Sequence, residues 1–566
     1  MKKLRFLISL TLIAALSAAG SFAARGAELE AAESSANIEA AIVAADYEEA
    51  GSIIEPDEEL PSAYSSKDEG FTTEARSQIY NTCWAYSSDA AMETLLLKNE
   101  VETSHLSTMH MNYWATPDKN GKGWQRDYTG AGYPYIPLGY FSSWSGGFSE
   151  EAYPSSSSFS DFDRNVSPEK PLYGATSIIY LTGEDQDTIK TAVWKYGAAV
   201  ASFHYNATAL QSGNYYFYIP GLKTSQLNGH SIAIVGWNDD YDKQNFYSET
   251  IQANPNGDGT TITVSHCPEN NGAWLCKNSW GPSWGNEGYF WISYEDQYLF
   301  DRRFGPSFSI AEYENVDGST TLYQNEIYGA NCTFNYISQL RPNMSKTTFV
   351  NVFDFSDFMT VLDKIIFETK AVGSAYTLYY IPVDTEFKPV TDREKWIELG
   401  SGIVDYQGYV CVDIEDTEVL DGRGSIAVEM AKTENSDEIS IGAGEWIKNT
   451  ALNKYVFYPD AHEGHSFILG YETEAVDIMD FYQDMLNDDI GGTLVIKAVA
   501  KESEIHYGDV DLDSKVTILD ATHIQKRLAM IEPFDEAQEK SADYDMDQKV
   551  TVLDATRIQK RLANLV

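Results

Sequence analysis

The segment SQIYNTCWAYSSDAAMET, residues 77–94, places Cys83 between a polar turn and a stretch with helical periodicity. That periodicity predicts an amphipathic helix beginning near the cysteine, so a thiolate there would lie at the positive end of the helix dipole. Cys83 is then either a core residue or a nucleophile, and the choice depends on the partners that the chain supplies. The apolar residues of the predicted helical face are Ala90, Ala91, Leu95 and Leu96.

Two segments further along the chain contain candidate partners. A cysteine nucleophile needs a base to accept its proton and donors for the developing oxyanion. His230 lies in LNGHSIAIVGW, where a polar turn leads into an apolar strand, and Asn278 lies in CKNSWGPSWGNEGYFWISY, where its amide could orient an imidazole. Trp280 could shield that hydrogen bond from water, and Gln78 could join the Cys83 backbone N–H in an oxyanion hole.

Together the three segments resemble the motifs of the papain-like cysteine peptidase family. The matching stretches are CWAYS at Cys83, GHSIAIVGW at His230 and KNSWGPSWGNEGYFWISY at Asn278. Their order agrees as well, because His230 follows Cys83 by 147 residues, and the family places its histidine about 130 to 150 residues after the cysteine. The resemblance covers residues 60–308 and implies an α+β peptidase domain of two lobes with a substrate cleft between them.

The resemblance also implies a role for each matched residue. Cys83 would be the nucleophile, His230 the acid and base, Asn278 the residue that orients His230, and Gln78 the oxyanion donor, with no cofactor for catalysis. Gln78 lies five residues before Cys83, one fewer than is usual in the family. We therefore expect peptide hydrolysis through a thioester acyl-enzyme.

Substrate binding is expected at three residues. The segment GAGY, residues 130–133, resembles the glycine-rich cleft wall of the family, where bare backbone at Gly130 and Gly132 would pair with an extended peptide. Trp280, two residues after Asn278, completes the expected set.

The last 60 residues contain an internal repeat. DVDLDSKVTILDATHIQKRLA from Asp509 recurs as DYDMDQKVTVLDATRIQKRLA from Asp543, at an offset of 34 residues. Oxygen ligands at positions 1, 3, 5, 7, 9 and 12 of such a loop suit calcium, whose flexible coordination accepts several carboxylates. The predicted ligands are Asp509, Asp511, Asp513, Lys515 through its carbonyl, Thr517 and Asp520 in the first loop, and Asp543, Asp545, Asp547, Lys549 through its carbonyl, Thr551 and Asp554 in the second.

The repeat resembles a dockerin module over residues 505–566, a small α-helical domain with duplicated calcium loops. The resemblance implies two bound Ca²⁺ ions and a cohesin domain of a bacterial scaffold protein as the partner. Position 6, which is normally glycine, is Ser514 in one loop and Gln548 in the other. Because a left-handed backbone is costly for these residues, we expect a reduced affinity for calcium.

Between these two parts, residues 309–500 consist mostly of short alternating segments separated by turn residues, which predicts a β-sandwich accessory domain. It faintly resembles lectin-like domains found beside such peptidases, and the sequence leaves open whether it binds carbohydrate or is a spacer. HEGH, residues 462–465, spaces its histidines three apart, whereas a helix-borne zinc site needs four, so a turn is expected there.

Composition and the chain start bear on location. The formal net charge of −45 argues against nucleic acid or an anionic membrane as a partner. Residues 1–23 are typical of an export signal, with basic residues before an apolar run, so we expect secretion without membrane insertion. Residues 24–59 have the composition of an acidic linker or short prosegment. The five cysteines are an odd number, and the sequence leaves open whether Cys267 and Cys276 form a disulfide.

The sequence therefore predicts a multidomain, extracellular cysteine endopeptidase attached to a cell-surface scaffold. A second hypothesis is a non-catalytic scaffold component that uses the peptidase fold as a binding surface. A third is a cell-wall amidase or transferase that uses Cys and His, which accounts for Cys83 but not for the KNSWG segment.

Overall fold

The computed structural model describes most of the chain from Ser52 onward. The predicted export signal and all of residues 24–51 lie outside the described residues, as do Ser514, Asp547 and Gln548. None of the helices in the described part has both the length and the apolar character of a membrane span. The description covers residues 52–563 apart from 53, 55, 118–122, 156–171, 182–184, 219–227, 254–261, 302–303, 336–342, 356–359, 415–421, 448–455, 458–461, 471–473, 486–489, 503–505, 514 and 546–548.

The predicted helix begins at Cys83 and ends at Lys98, with Thr82 preceding its first turn. It is not amphipathic, because every residue from Trp84 to Leu96 is buried. The prediction failed here because the helix is enclosed on all sides, by other helices and by strands of the sheet. The helices of this N-terminal region are α1 Cys83–Lys98, α2 Thr108–Trp114, α3 Tyr135–Ser142 and α4 Gln186–Tyr196.

The strands of the N-terminal region come mainly from apolar runs bounded by turn residues, as the pattern predicted. The GHSIAIVGW segment forms β7 and the strand before Asn278 forms β10. The strands are β1 Ala63–Ser65, β2 Gly123–Trp124, β3 Tyr173–Leu181, β4 Ala199–His204, β5 Leu210–Gln211, β6 Asn214–Tyr215, β7 Gly229–Asn238, β8 Ser248–Ala253, β9 Ile262–His266, β10 Ala273–Lys277, β11 Tyr289–Ser293 and β12 Ser307–Asn315.

The central region is β-rich and contains one helix, α5 Ile478–Met485, among its described residues. Its strands are β13 Thr320–Gln324, β14 Cys332–Phe334, β15 Lys346–Phe355, β16 Thr360–Thr369, β17 Ala375–Pro382, β18 Ile397–Ile403, β19 Gly408–Asp413, β20 Gly422–Ala431, β21 Ile441–Ile447, β22 Val456–Phe457, β23 Ser466–Leu469, β24 Val476–Asp477, β25 Ile490–Leu494 and β26 Ile496–Glu502.

One continuous sheet joins the two regions. Its strand order is β13-β26-β16-β19-β3-β12-β4-β7-β10-β11-β6-β5, with β1 added to β7. The connection is an antiparallel contact between β3 and β19, in which Ile179 lies opposite Gly408 and Ile178 opposite Tyr409. Gly408 has a φ of +131°, and a Cβ there would collide with the Ile178 carbonyl, so this close approach requires glycine.

A second sheet, β18-β17-β20-β15-β23-β24, faces the β13-β26-β16-β19 end of the first. One apolar core fills the space between them and includes Phe349, Phe367, Leu378 and Val428. The central region is thus a two-layered β structure, as the alternating pattern predicted. Strand β12 spans residue 308, where we expected the boundary, and pairs with β3.

The cysteines form no disulfide, and the described part of the HEGH segment forms no helix. All five cysteines are free. Cys276 lies in β10, which pairs with β7 and β11, whereas Cys267 follows β9, so the two are not on neighbouring strands. His462 and His465 lie in a turn before β23, with their rings 5.5 Å apart.

The C-terminal region is a small helical unit. Its helices are α6 Ile518–Leu528, α7 Glu536–Ala542 and α8 Val552–Leu562. Thr517 and Thr551 cap α6 and α8, each in a capping box with the aspartate three residues later. The buried apolar residues of this unit are Val510, Ala521, Ile524, Ala542, Tyr544, Ala555 and Ile558.

Candidate active site

Cys83 is the first residue of α1 and is half-buried. Burial would raise the pKa of its thiol, but the charge of His230 and a hydrogen bond between the two side chains lower it below its ordinary value. Hydrogen bonds from the backbone of Ser231 and Trp84 act in the same direction. These interactions favour the thiolate, which is the nucleophilic form of a cysteine.

His230 lies near the start of β7 and is 7% exposed. Burial opposes the charged imidazole, yet the neighbouring Cys83 sulfur and the hydrogen bond to Asn278 raise the pKa of His230 above its ordinary value. Its Nε2 lies 2.8 Å from Asn278 Oδ1. The Trp280 indole stacks on the imidazole at 4.7 Å and 27°, so the hydrogen bond is covered from solvent.

Asn278 follows directly after β10 and is held by its own backbone. Its N–H donates to the Gly288 carbonyl at 2.9 Å, and its Oδ1 also accepts from the Ser279 N–H at 2.8 Å. The orientation of the amide is thus fixed with Oδ1 toward His230. Among the described residues no hydrogen-bond partner for the buried Nδ2 is found.

The structure brings Gln78 to the same site, through Ser279. Gln78 Oε1 accepts from the Ser279 hydroxyl at 2.7 Å, and the Gln78 N–H donates to the Ser279 carbonyl at 2.7 Å. Its Nε2 donates to the Tyr80 carbonyl at 2.8 Å. Because a side-chain amide carries two N–H groups, one remains for an oxyanion.

The two glycines of the expected cleft wall differ in their surroundings. A Cβ at Gly132 would overlap the Trp84 indole, so glycine is required beside the residue that follows Cys83. Gly130 uses its N–H on the Asp127 carbonyl, and its carbonyl accepts from Arg126 Nη2 at 2.7 Å. Its N–H is therefore engaged in a local turn, which weakens the expectation that Gly130 pairs with a peptide.

A buried ionic cluster behind the site was not anticipated from the sequence. Glu93, on α1, lies 3.4 Å from Arg76 Nη2 and 4.0 Å from Lys277 Nζ, the residue before Asn278. Lys277 also donates to the Thr73 hydroxyl at 2.8 Å. The cluster ties the helix that carries Cys83 to the strand that ends at Lys277, directly before Asn278. An acidic residue in an otherwise apolar stretch of helix was the signal that could have revealed it.

The charges in this cluster are strongly perturbed. Burial raises the pKa of Asp89 to about 7, while Arg76 and Thr108 oppose that change. The pKa of Glu93 is lowered to about 2, because hydrogen bonding and the nearby cations outweigh the cost of burial. Burial lowers the pKa of Lys277 to about 8, although Glu93 favours its charged form.

The duplicated loops each bring three carboxylates together. Asp513 is not part of the first group, and its N–H donates to Asp509 Oδ1 at 2.9 Å. A compact set of carboxylates is the donor chemistry that calcium prefers, so the residues present fit that ion. Atoms within 4.8 Å of one another come from Asp509, Asp511 and Asp520, and from Asp543, Asp545 and Asp554.

Comparison with protein families assigns all three regions. The papain family of cysteine proteases matches residues 60–302, the lectin-like domain family matches residues 322–500, and the type I dockerin family matches residues 507–563. Among curated proteins, human cathepsin L2 is 24% identical over 242 residues, and mouse cathepsin M is 26% identical over 238 residues. Each alignment spans about two fifths of this chain and 61% of the relative.

Solved structures add the arrangement of the first two regions. The cysteine protease and lectin-like domains of Cwp84, a surface layer associated protein of Clostridium difficile, superpose with a TM-score of 0.65 at 28% identity, covering 81% of this chain and 91% of that one. Cwp84 after propeptide cleavage superposes with a TM-score of 0.64 at 29% identity, covering 78% of this chain and 100% of that one. The chain therefore carries a papain-family cysteine protease domain, a lectin-like domain and a C-terminal dockerin type I domain.

Proposed function

We propose that this protein is a secreted cysteine endopeptidase that hydrolyses peptide bonds through Cys83, His230 and Asn278. The observation that carries the proposal is the continuous hydrogen-bonded series from the Cys83 thiol through the His230 imidazole to Asn278 Oδ1, covered by Trp280. The shifts in pKa favour a thiolate and an imidazolium, which is the pair that such chemistry uses.

In the proposed reaction the Cys83 sulfur forms a bond to the peptide carbonyl carbon, and the oxygen becomes an oxyanion. The Cys83 N–H and one N–H of Gln78 would donate to that oxygen. The carbon–nitrogen bond then breaks as His230 gives its proton to the leaving amine. Water attacks the thioester, His230 accepts a proton from it, and the acid is released with the thiolate restored.

We further propose that the dockerin domain attaches the enzyme to a cohesin domain of a scaffold protein when two Ca²⁺ ions are bound. Exposed apolar pairs at equivalent positions of α6 and α8 support a cohesin-binding face on either helix: Ile518 and Leu519, and Val552 and Leu553. Residues 1–23 would direct export, which agrees with an extracellular scaffold. Carbohydrate binding by the lectin-like domain is left out of the proposal, because it rests on the family name alone.

The test is cleavage of unfolded casein by the purified full-length protein in reductant, beside Cys83→Ala. An alkylating epoxide inhibitor serves as a label for the active-site sulfur. We expect the wild type to cleave casein and to be labelled at Cys83, and we expect the variant to do neither. If the wild type neither cleaves casein nor is labelled, the chain is instead a non-catalytic, scaffold-attached binding protein. If it releases muropeptides from sacculi, it is instead an amidase.

A further inference from the structure

The turn before the nucleophile has an unusual residue at its tip. Tyr80 adopts a φ of +59°, in the left-handed region, and is 47% exposed. A left-handed backbone is costly for a bulky residue and nearly free for glycine. The sequence therefore keeps an aromatic ring in solvent at a position where the backbone favours glycine, three residues before Cys83.

Hydrogen bonds hold this turn in place. Gln78 Nε2 donates to the Tyr80 carbonyl at 2.8 Å, and the Thr82 hydroxyl donates to the Ile79 carbonyl at 2.5 Å. The Asn81 amide donates to the Thr129 carbonyl at 3.3 Å, which connects the turn to the one at residues 127–130. These hydrogen bonds hold the turn directly before α1, whose first residue is Cys83.

The second turn presents another aromatic ring to the first. Tyr128 packs edge to face against Tyr80, with ring centroids 5.4 Å apart and planes at 87°. The Asp127 carboxylate accepts from the Thr129 N–H at 2.8 Å, so this turn also has a fixed shape. The two rings span the gap between the turn that leads to the nucleophile and the turn that leads to Gly132.

We propose that Tyr80, supported by Tyr128, forms an aromatic platform that contacts the substrate side chain next to the scissile bond and selects aromatic or large apolar residues there. The backbone strain at Tyr80 agrees with the tendency of strained residues to occur at functional sites. Aromatic rings attract other aromatic and apolar groups in this offset geometry. The inference rests on the proposed endopeptidase function.

The experiment compares kcat/KM for a library of quenched fluorescent peptides that vary the residue on either side of one cleaved bond. With the wild type we expect phenylalanine or leucine at one of these positions to be preferred over alanine by about tenfold or more. In Tyr80→Gly that preference should fall by about tenfold, whereas Tyr80→Phe should keep it. Because glycine accepts a positive φ, the Tm of Tyr80→Gly should not fall, so a loss of selectivity cannot be attributed to unfolding.

Phe387 offers a matched control. It has a φ of +62° and is 43% exposed, but it lies in the lectin-like domain. Phe387→Gly should therefore leave the peptide preference unchanged. Three outcomes would each overturn this inference and leave the proposed function intact. These are an unchanged peptide preference in Tyr80→Gly, an equal loss of preference in Phe387→Gly, and an active wild type with no aromatic or large apolar preference. A wild type that neither reacts with the epoxide at Cys83 nor cleaves any peptide would overturn the proposed function as well.

Discussion

His230 Nε2 and Asn278 Oδ1 lie 2.8 Å apart beneath the stacked indole of Trp280. His230 lies on β7, and Asn278 directly follows β10, the strand that pairs with β7. Because Asn278 Oδ1 accepts from the imidazole, the proton on the other ring nitrogen is the one that can be exchanged with Cys83. The orientation of a single amide thus determines which His230 nitrogen would take part in the proposed reaction.

Asn278→Ala should reduce kcat/KM by about tenfold to 100-fold, because a hydrogen bond to a charged group contributes about 1.5–3 kcal/mol. The variant should still be labelled at Cys83 by iodoacetamide, since the thiol and imidazole remain adjacent. Steady-state kinetics on one peptide substrate measures the loss. Ser283→Ala, at an exposed residue of the same segment, is the control and should be neutral. A change below threefold in Asn278→Ala would contradict the orienting role.

The pH dependence of alkylation tests the thiolate. His230 lowers the pKa of the Cys83 thiol, and the sulfur raises the pKa of the imidazole, so the ion pair exists between the two values. At pH 6, below the ordinary thiol pKa of about 8.5, we therefore expect iodoacetamide to modify Cys83 faster than it modifies an unperturbed thiol. In His230→Asn the rate at pH 6 should fall at least about tenfold and recover only above that pKa.

Mass spectrometry of the individual cysteines supplies the internal comparison for this experiment. Burial raises the pKa of Cys276 and raises that of Cys411 to about 12, so both should remain unmodified at pH 6. Equal labelling of Cys83 and Cys276 would refute the assignment of a thiolate. So would a pH profile that is the same in His230→Asn and in the wild type.

The buried cluster predicts an acid-dependent stability. The pKa of Glu93 is lowered to about 2 in the folded state, and the residue is 1% exposed. A depressed carboxyl pKa contributes stability that is present above the unfolded value of about 4.5 and is lost as the pH falls toward 2. Glu93→Gln should therefore reduce the free energy of unfolding by about 3 kcal/mol at pH 7, and this difference should shrink below pH 4.

Guanidinium denaturation at several pH values measures that contribution. Glu150, a more exposed partner of Arg76 at 3.3 Å, provides the control. Glu150→Gln should cost less than about 1 kcal/mol, as exposed ion pairs do. If the free energies of unfolding of Glu93→Gln and the wild type differ by the same amount at every pH, the effect comes from packing and not from charge.

The two acidic loops predict two calcium sites, each of which a single substitution should eliminate. Asp520 accepts from the Val510 N–H at 2.7 Å and Asp554 from the Thr551 N–H at 2.7 Å, so each closes its loop. Isothermal titration should give two Ca²⁺ per wild-type chain, and one in Asp520→Asn or Asp554→Asn, because the variant carboxamide keeps an acceptor but loses the charge. Asp535→Asn, at the start of α7 and outside both loops, should still bind two ions.

The candidate active-site residues could be singled out from the sequence because their signals are local. Cys83 precedes a helical pattern, and His230 and Asn278 lie at the boundaries of apolar strands, so each motif could be recognised from a few neighbouring residues. The acidic loops proposed to bind calcium could be singled out for the same reason, since their expected ligands are fixed by spacing within 12 residues.

Features that depend on distant contacts were not predictable. The pattern at Ala90 and Leu95 indicates one apolar face, but whether polar residues such as Glu93 are also covered depends on Arg76 and Lys277, which come from other elements. The contact between Gly408 and Ile179 joins strands more than 200 residues apart in the chain, and a β-strand pattern carries no information about which strand it pairs with. The protease and lectin-like parts were therefore expected as separate domains, although they share one sheet.

The shared sheet predicts that the two domains depend on each other for stability. Lys497 on β26 is 0% exposed and donates to the Ser142 carbonyl at 3.0 Å and to Gln324 Oε1 at 2.8 Å, with Glu326 at 3.6 Å. Its removal would leave the Glu326 carboxylate buried without a cation, which typically costs about 3–5 kcal/mol.

Lys497→Met should therefore lower the free energy of unfolding by about that amount, and adding Glu326→Gln should restore most of it, because the uncompensated charge is then gone. Lys501→Met is the matched control, since Lys501 lies on the same strand but is exposed and pairs with Asp363 at the surface. Its loss should cost less than about 1 kcal/mol. Calorimetry of the full chain measures all three variants. If Lys497→Met and Lys501→Met are equally mild, Lys497 does not hold the lectin-like domain against the protease domain.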